Sequence, residues 1–177
     1  QDPDVVMVGE VRDKETAELV VHAALTGHIV ISTLHTNNVA GVIPRLVDMG
    51  IEEFLIGSSL NLMIAQRLVI KLCDSCKKEE VASDKIQSIL KKIIDSLPSE
   101  LKSDIATKYK EPYKIWRSSG CKVCNNKGTV GRIAVFEMFS MTSELKEILG
   151  KGLSEEKIKE ETRRQGMITM RQDGIIK

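Results

Sequence analysis

Aromatic side chains are scarce in this sequence: three Phe, one Trp and two Tyr make up 3% of its 177 residues. A single-strand nucleic-acid binder needs ring faces on which bases stack, and so few rings weigh against that function. Charge of one sign is lacking as well, since 26 Lys and Arg meet 25 Asp and Glu and leave a net charge of +1. There is no global basic field of the kind that draws in nucleic acid, so no direct nucleic-acid partner is expected. No apolar run approaches the roughly 18 residues of a spanning helix, and no basic-then-apolar leader opens the chain. These absences predict a cytosolic chain, or one peripheral to a membrane. An initiator Met is missing too: Gln1-Asp2-Pro3 enters an apolar run at once, and the closing "MRQDGIIK" stops within a helical pattern. The sequence reads as a piece of a longer protein.

What is present suits a soluble globular core, with 42% hydrophobic and 29% charged residues, enough for one large or two small domains. Val5-Val6-Met7-Val8, closed by Gly9-Glu10, has the pattern of a strand buried on both faces. Asp13 is a good N-cap for a helix through Ala17, Val20, Val21, Ala24 and Leu25, and Gly27 supplies its stop. A second strand is predicted over 28–35, then a helix over "NNVAGVIPRLVDMG" with an irregularity near Pro44. Strand–helix–strand–helix predicts a parallel sheet. A longer helix is predicted over 52–66, a short strand over "RLVIKL", and a helical insert within 77–120 with pieces at 84–95 and 99–109. A strand at 132–139 and helices at 142–150 and 154–165 complete the reading.

In a parallel α/β sheet ligands gather beyond the carboxyl ends of the strands. Glu10 stands there, and reads either as a site carboxylate or as a solvated strand-end acid. His35 ends the second strand level with it, with Ser32, Thr33 and Thr36 nearby as donors to a phosphate. Arg12 reads equally as a phosphate contact, its planar fork suiting such anions, or as a salt-bridged surface residue. His28 starts its strand and so lies at the opposite end from His35, while Arg45 reads as a solvated face or an ion pair.

The four cysteines form two Cys-x-x-Cys pairs, Cys73/Cys76 and Cys121/Cys124, which match a tetrahedral four-thiolate zinc site. Forty-four residues separate the pairs, against about 15–20 in a simple zinc ribbon, and an inserted helical element accounts for the excess. Disulfides and redox catalysis are the alternatives; a reduced compartment and the lack of a strand-to-helix setting weigh against both. Four sulfurs leave no open coordination position, so the zinc is expected to be structural.

"DPDVVMVGEVRDKETAELVVHAALTGHIVISTLHTNN" resembles the Walker B and His-box region of the secretion ATPases that drive type II secretion and type IV pilus assembly. "AQRLV" before the first cysteine pair, "GCKVCNNKG" and "GRIAVFEM" resemble the zinc-bearing C-terminal region of the assembly-type members; retraction-type motors generally lack the four cysteines. The resemblance implies a partial RecA-like P-loop ATPase core over 1–72, a Cys-four zinc element with a helical insert over 73–131, and a C-terminal strand and helices over 132–177. It implies that Glu10 is the catalytic carboxylate, that His35, His28 and Arg12 serve the nucleotide, and that Cys73, Cys76, Cys121 and Cys124 bind Zn²⁺. ATP and Mg²⁺ are implied for the full-length protein, as are a homo-hexamer, an inner-membrane platform protein as partner, and a cytoplasmic location peripheral to the inner membrane. One motif is missing from these residues: no G-x-x-x-x-G-K-[ST] occurs, and without its backbone cradle and Lys the chain alone is expected to be inactive. The alternative class is a non-hydrolysing, zinc-stabilised protein-interaction module.

Overall fold

The computed structural model describes residues 3–177. They form two compact units, one built from the chain up to Ala65 with Met138–Met167, the other from Gln66–Glu137 with Ile168–Lys177. These units interleave the chain, whereas the segments 1–72, 73–131 and 132–177 are a division by motif.

The first unit begins with β1 (Val5–Val11) and β2 (Ile29–Leu34), which pair in parallel from Val5 opposite Ile29. Between them runs α1 (Lys14–Leu25), whose N-cap Asp13 accepts the Thr16 N–H at 2.9 Å, and Gly27 turns the chain out at φ +100°. A 3₁₀ turn over Val39–Gly41 leads into α2 (Val42–Asp48), so the expected irregularity is a change of helix type. Pro44 lies in the first turn of α2, where its missing N–H costs no hydrogen bond. α3 (Glu53–Ser59) follows, and the unit is completed near its end by α6 (Ser143–Gly150) and α7 (Glu155–Arg164). Val11, Ala17, Val21, Ile43, Ile56, Phe139, Leu145, Leu149 and Ile158 are among its core residues.

Two expectations need correction here. β1 is expected to be buried on both faces, yet Val5 and Met7 are 53% and 76% exposed, and Ile29 and Ile31 on β2 are likewise 62% and 54% exposed. The described residues cover one face of this two-stranded sheet, so the side chains alternate in exposure. The helix expected over 52–66 ends at Ser59, and β3 (Leu62–Leu72) takes its second half. Leu62 and Ile64 point outward while Met63 is buried in the core, which is strand alternation and not a helical stripe.

β3 pairs with β6 (Thr129–Ser140). The Met141 N–H donates to Asn61 O, and the Cys73 N–H to Gly128 O, each at 2.9 Å, so the strands run in opposite directions. In the second unit, β4 (Lys77–Val81) and β5 (Lys114–Ser118) form an antiparallel pair that encloses α4 (Asp84–Asp95) and α5 (Ser99–Lys108) in sequence. Ile94, Leu97 and Ile105 pack with Tyr113, Ile168 and Ile176 as its core. The last helix, α8 (Met170–Ile176), is pinned to β6 by buried carboxylates: Asp173 accepts the Phe136 N–H at 2.8 Å, and Glu137 accepts the Met170 N–H at 3.0 Å.

Candidate functional site

The register of β1 against β2 slips just before the strands end. Val8 lies opposite Ser32, but Val11 lies opposite Leu34, so β1 carries one extra residue, a β-bulge at Gly9-Glu10. Bulges re-aim side chains. Here the effect is to bury Val11 in the core at 5% exposure while Glu10 and Arg12 emerge together at the carboxyl end of the sheet.

Glu10 Oε2 accepts from Arg12 Nε at 2.6 Å and stands 3.1 Å from His35 Nε2. The Arg12 hydrogen bond, then that of His35, holds the Glu10 carboxyl below its usual range, against a smaller opposing effect of desolvation. Arg12 and His35 are 71% and 82% exposed, so both are free to swing toward an incoming anion. Beside them a cleft of about 280 Å³ is lined by Val11, Arg12, His35, Arg45 and Met49. Arg45, read from sequence as a solvated face or an ion pair, thus joins the group through the position of α2; no spacing in the sequence signals it. Three basic side chains and one carboxylate suit the charge of a polyphosphate and the orientation of an attacking water.

The remaining candidates are placed elsewhere. Nδ1 of His28 lies 3.1 Å from Thr26 Oγ1 and 3.0 Å from Ala23 O, at the C-terminal end of α1, so the structure does not bring it to Glu10. Thr36 donates to Asn38 O at 2.9 Å and Thr33 to Gly9 O at 2.7 Å. The Ser32 hydroxyl is buried without a partner among the described residues.

The second cluster is the four cysteines. All four Sγ atoms lie within 4.8 Å of one another. Cys121 and Cys124 are 3.7 Å apart, and Cys73–Cys121 and Cys76–Cys124 are each 3.9 Å apart. A tetrahedron with metal–sulfur arms of about 2.3 Å has edges of about 3.8 Å; disulfides would bring sulfurs to about 2 Å. The residues therefore fit a tetrahedral thiophilic metal ion. Peptide N–H groups of Cys121 and Gly128 each approach Cys124 Sγ at 3.2 Å. Burial opposes ionisation of Cys124, but these N–H donors and the neighbouring thiols outweigh it and bring the group down to about 6. Burial pushes the Cys76 thiol up to about 12. Four thiolates are stable together here only around a positive charge. The turn is built on glycine: at Gly120, φ is +88° and a Cβ would meet Asn126 O at 2.6 Å.

The fold defines a class: it is that of part of a P-loop ATPase core. Solved structures agree. The ATPase DotB of Legionella pneumophila superposes with a TM-score of 0.57 at 25% identity, over 98% of this chain and 34% of that one. The pilus retraction motor PilT with bound ADP superposes at 0.51 and 21% identity, over 98% and 39%, which speaks for the fold alone. The particular family follows from sequence: a family model described as type II/IV secretion system protein matches residues 1–177, and the chain belongs to that family. The type IV pilus assembly ATPase PilB of Myxococcus xanthus is 44% identical over all of this chain and 29% of its own length. The type II secretion system ATPase E of Vibrio cholerae is 45% identical over all of this chain and 32% of its own length. The chain therefore spans about a third of these relatives. Among the described residues no helix is long and apolar enough to cross a membrane.

Proposed function

We propose that the chain is the part of a secretion or pilus-assembly motor ATPase that runs from the catalytic carboxylate through a structural zinc element. The observation that carries this is Glu10 held by Arg12 and His35 at the carboxyl end of two parallel strands, beside a cleft with a third basic residue. Glu10 orients and activates the water that attacks the terminal phosphate. Arg12 and His35 exchange their bond to Glu10 for phosphate oxygens. His28 is left to hold the turn between α1 and β2. Mg²⁺, in the full-length protein, supplies charge neutralisation at the phosphates.

Cys73, Cys76, Cys121 and Cys124 hold Zn²⁺ as a brace with no open position. A homo-hexamer docked on an inner-membrane platform protein, at the cytoplasmic face, is the assembly in which the work is done; the strongest support is the 44–45% identity to PilB and secretion ATPase E. The test is turnover by the longer ATPase with and without Glu10→Gln, which keeps the shape and removes the charge. The variant is expected to bind nucleotide and turn over at least 100-fold more slowly, the scale of losing a charged transition-state contact. Unchanged turnover removes Glu10 from the chemistry.

A further inference from the structure

Strand alternation alone does not account for the end of β1. Val6 and Val8 turn toward the covered side of the sheet, and Val5 and Met7 lie on the exposed side. Continued without interruption, this pattern sends Glu10 to the covered side with Val8 and leaves Val11 in the open. The structure shows the reverse for Val11, because the extra residue of the bulge falls between Val8 and Val11. Glu10 keeps the intermediate burial of Val6 and Val8, but it lies inside the bulge, so the peptide that carries the carboxylate is held there and not by the regular ladder.

β2 meets the bulge with a single residue. On its exposed side the strand presents Ile29, Ile31 and then Thr33. At that third place an apolar β-branched residue satisfies the strand pattern equally well. The hydroxyl is what differs, and it donates to the carbonyl of Gly9, the residue before Glu10, at 2.7 Å. This bond crosses from one strand to the other at the slip in register, where it fixes the peptide from which Glu10 projects. Thr33 itself is exposed and belongs to neither core cluster, so packing does not explain its identity.

We infer that Thr33 is a positioning residue for the water-activating carboxylate, acting by holding the bulge peptide from which Glu10 projects; this rests on the role given to Glu10 above. Thr33 touches no reacting atom. Its effect belongs in the rate of the bound complex and not in nucleotide affinity.

The experiment is a double-mutant cycle in the longer ATPase, reading kcat and KM for ATP. Thr33→Val keeps the shape and removes the hydroxyl, and is expected to lower kcat about 10- to 100-fold, the scale of a catalytic group displaced by up to about 1 Å, with KM within about twofold of the parent. Thr33→Ser keeps the donor and is expected to retain kcat. In a Glu10→Gln background Thr33→Val should cost nothing further, because it acts through a group already disabled. Full kcat in Thr33→Val while Glu10→Gln is dead overturns the inference and leaves Glu10 in place. Equal losses in the Val and Ser variants, or a further loss in the Gln background, also overturn it. Unimpaired turnover in Glu10→Gln alone overturns the role of Glu10 and that of Thr33 with it.

Discussion

Glu161 shows how much one side chain can organise without leaving a trace in the sequence. It sits in "EEKIKEETRR", which reads as a solvated helix face, yet its side chain is 2% exposed. Arg164 donates to both its oxygens, at 2.6 and 2.8 Å, and Gln165 and Thr142 each reach Oε1 at 2.8 Å. The same Thr142 caps α6, and Gln165 grips both the N–H and the C=O of Ser140, at 3.1 and 3.0 Å. One carboxylate therefore ties α7 to the start of α6 and the end of β6. The Arg164 bond, opposed by burial and helped by Gln165 and Thr142, holds the group down at about 2 from 4.5. A depressed acid stabilises the fold in full above its ordinary value, and the contribution fades as pH falls from 4.5 toward 2. Arg164 is 48% exposed, so solvent screening trims the effect. Glu161→Gln is expected to cost about 1–2 kcal/mol at pH 7. Urea denaturation should show this difference narrowing below pH 4.5 and closing near pH 2. A difference independent of pH would mean that the charge contributes nothing.

At the scale of elements, what was legible in the sequence was what carries an apolar period. α1, with Asp13 before it and Gly27 after, and α4 through α7 lie within a residue or two of their expected places. The placing of Glu10 beside His35 and the grouping of the four cysteines were also legible, because strand ends and Cys-x-x-Cys spacing fix them locally. The β4–β5 pair was not, because charged side chains make its cross-strand contacts: Lys114 bonds Glu79 at 2.7 Å, Arg117 pairs with Glu80, and Lys77 lies over the Trp116 ring. Such a pair has no apolar stripe to read. The bulge at Glu10 and the entry of Arg45 into the cleft were hidden for a related reason, since register and tertiary approach are not local properties.

The β4–β5 pair leads directly from the first cysteine pair and returns to the second, so it and the four-cysteine cluster should stand or fall together. Stripping the metal with a chelator, or Gly120→Ala with its clash at Asn126 O, is expected to raise hydrogen exchange across 73–81 and 114–128. Metal analysis of the unmodified chain should find one zinc per chain, and the alanine variant should hold it at least 10-fold more weakly. Unchanged exchange after complete metal removal would show that the β4–β5 pair stands without the brace.

At the scale of the whole chain there is a cleft with basic residues in one unit and a four-cysteine cluster in the other, but no G-x-x-x-x-G-K-[ST] occurs in these 177 residues. Its sheet at the cleft has two strands, with Val5, Met7, Ile29 and Ile31 open on one face. Relatives about three times as long provide ample further chain to cover that face. Arg12, His35 and Arg45 offer charge to a phosphate, but these exposed side chains pay conformational entropy on binding and act through solvent. A cradle of backbone N–H groups with a P-loop Lys is pre-organised and does not. The purified 177-residue chain is therefore expected to show no ATP turnover and to bind ATP more weakly than about 1 mM, which leaves less than about 4 kcal/mol of binding free energy. Titration calorimetry checks this, with zinc content measured on the same sample to establish that the chain is folded. Binding in the micromolar range by zinc-loaded chain would mean that the three basic residues and the sheet end make a complete nucleotide site, and the dependence on a phosphate-binding loop would have to be given up.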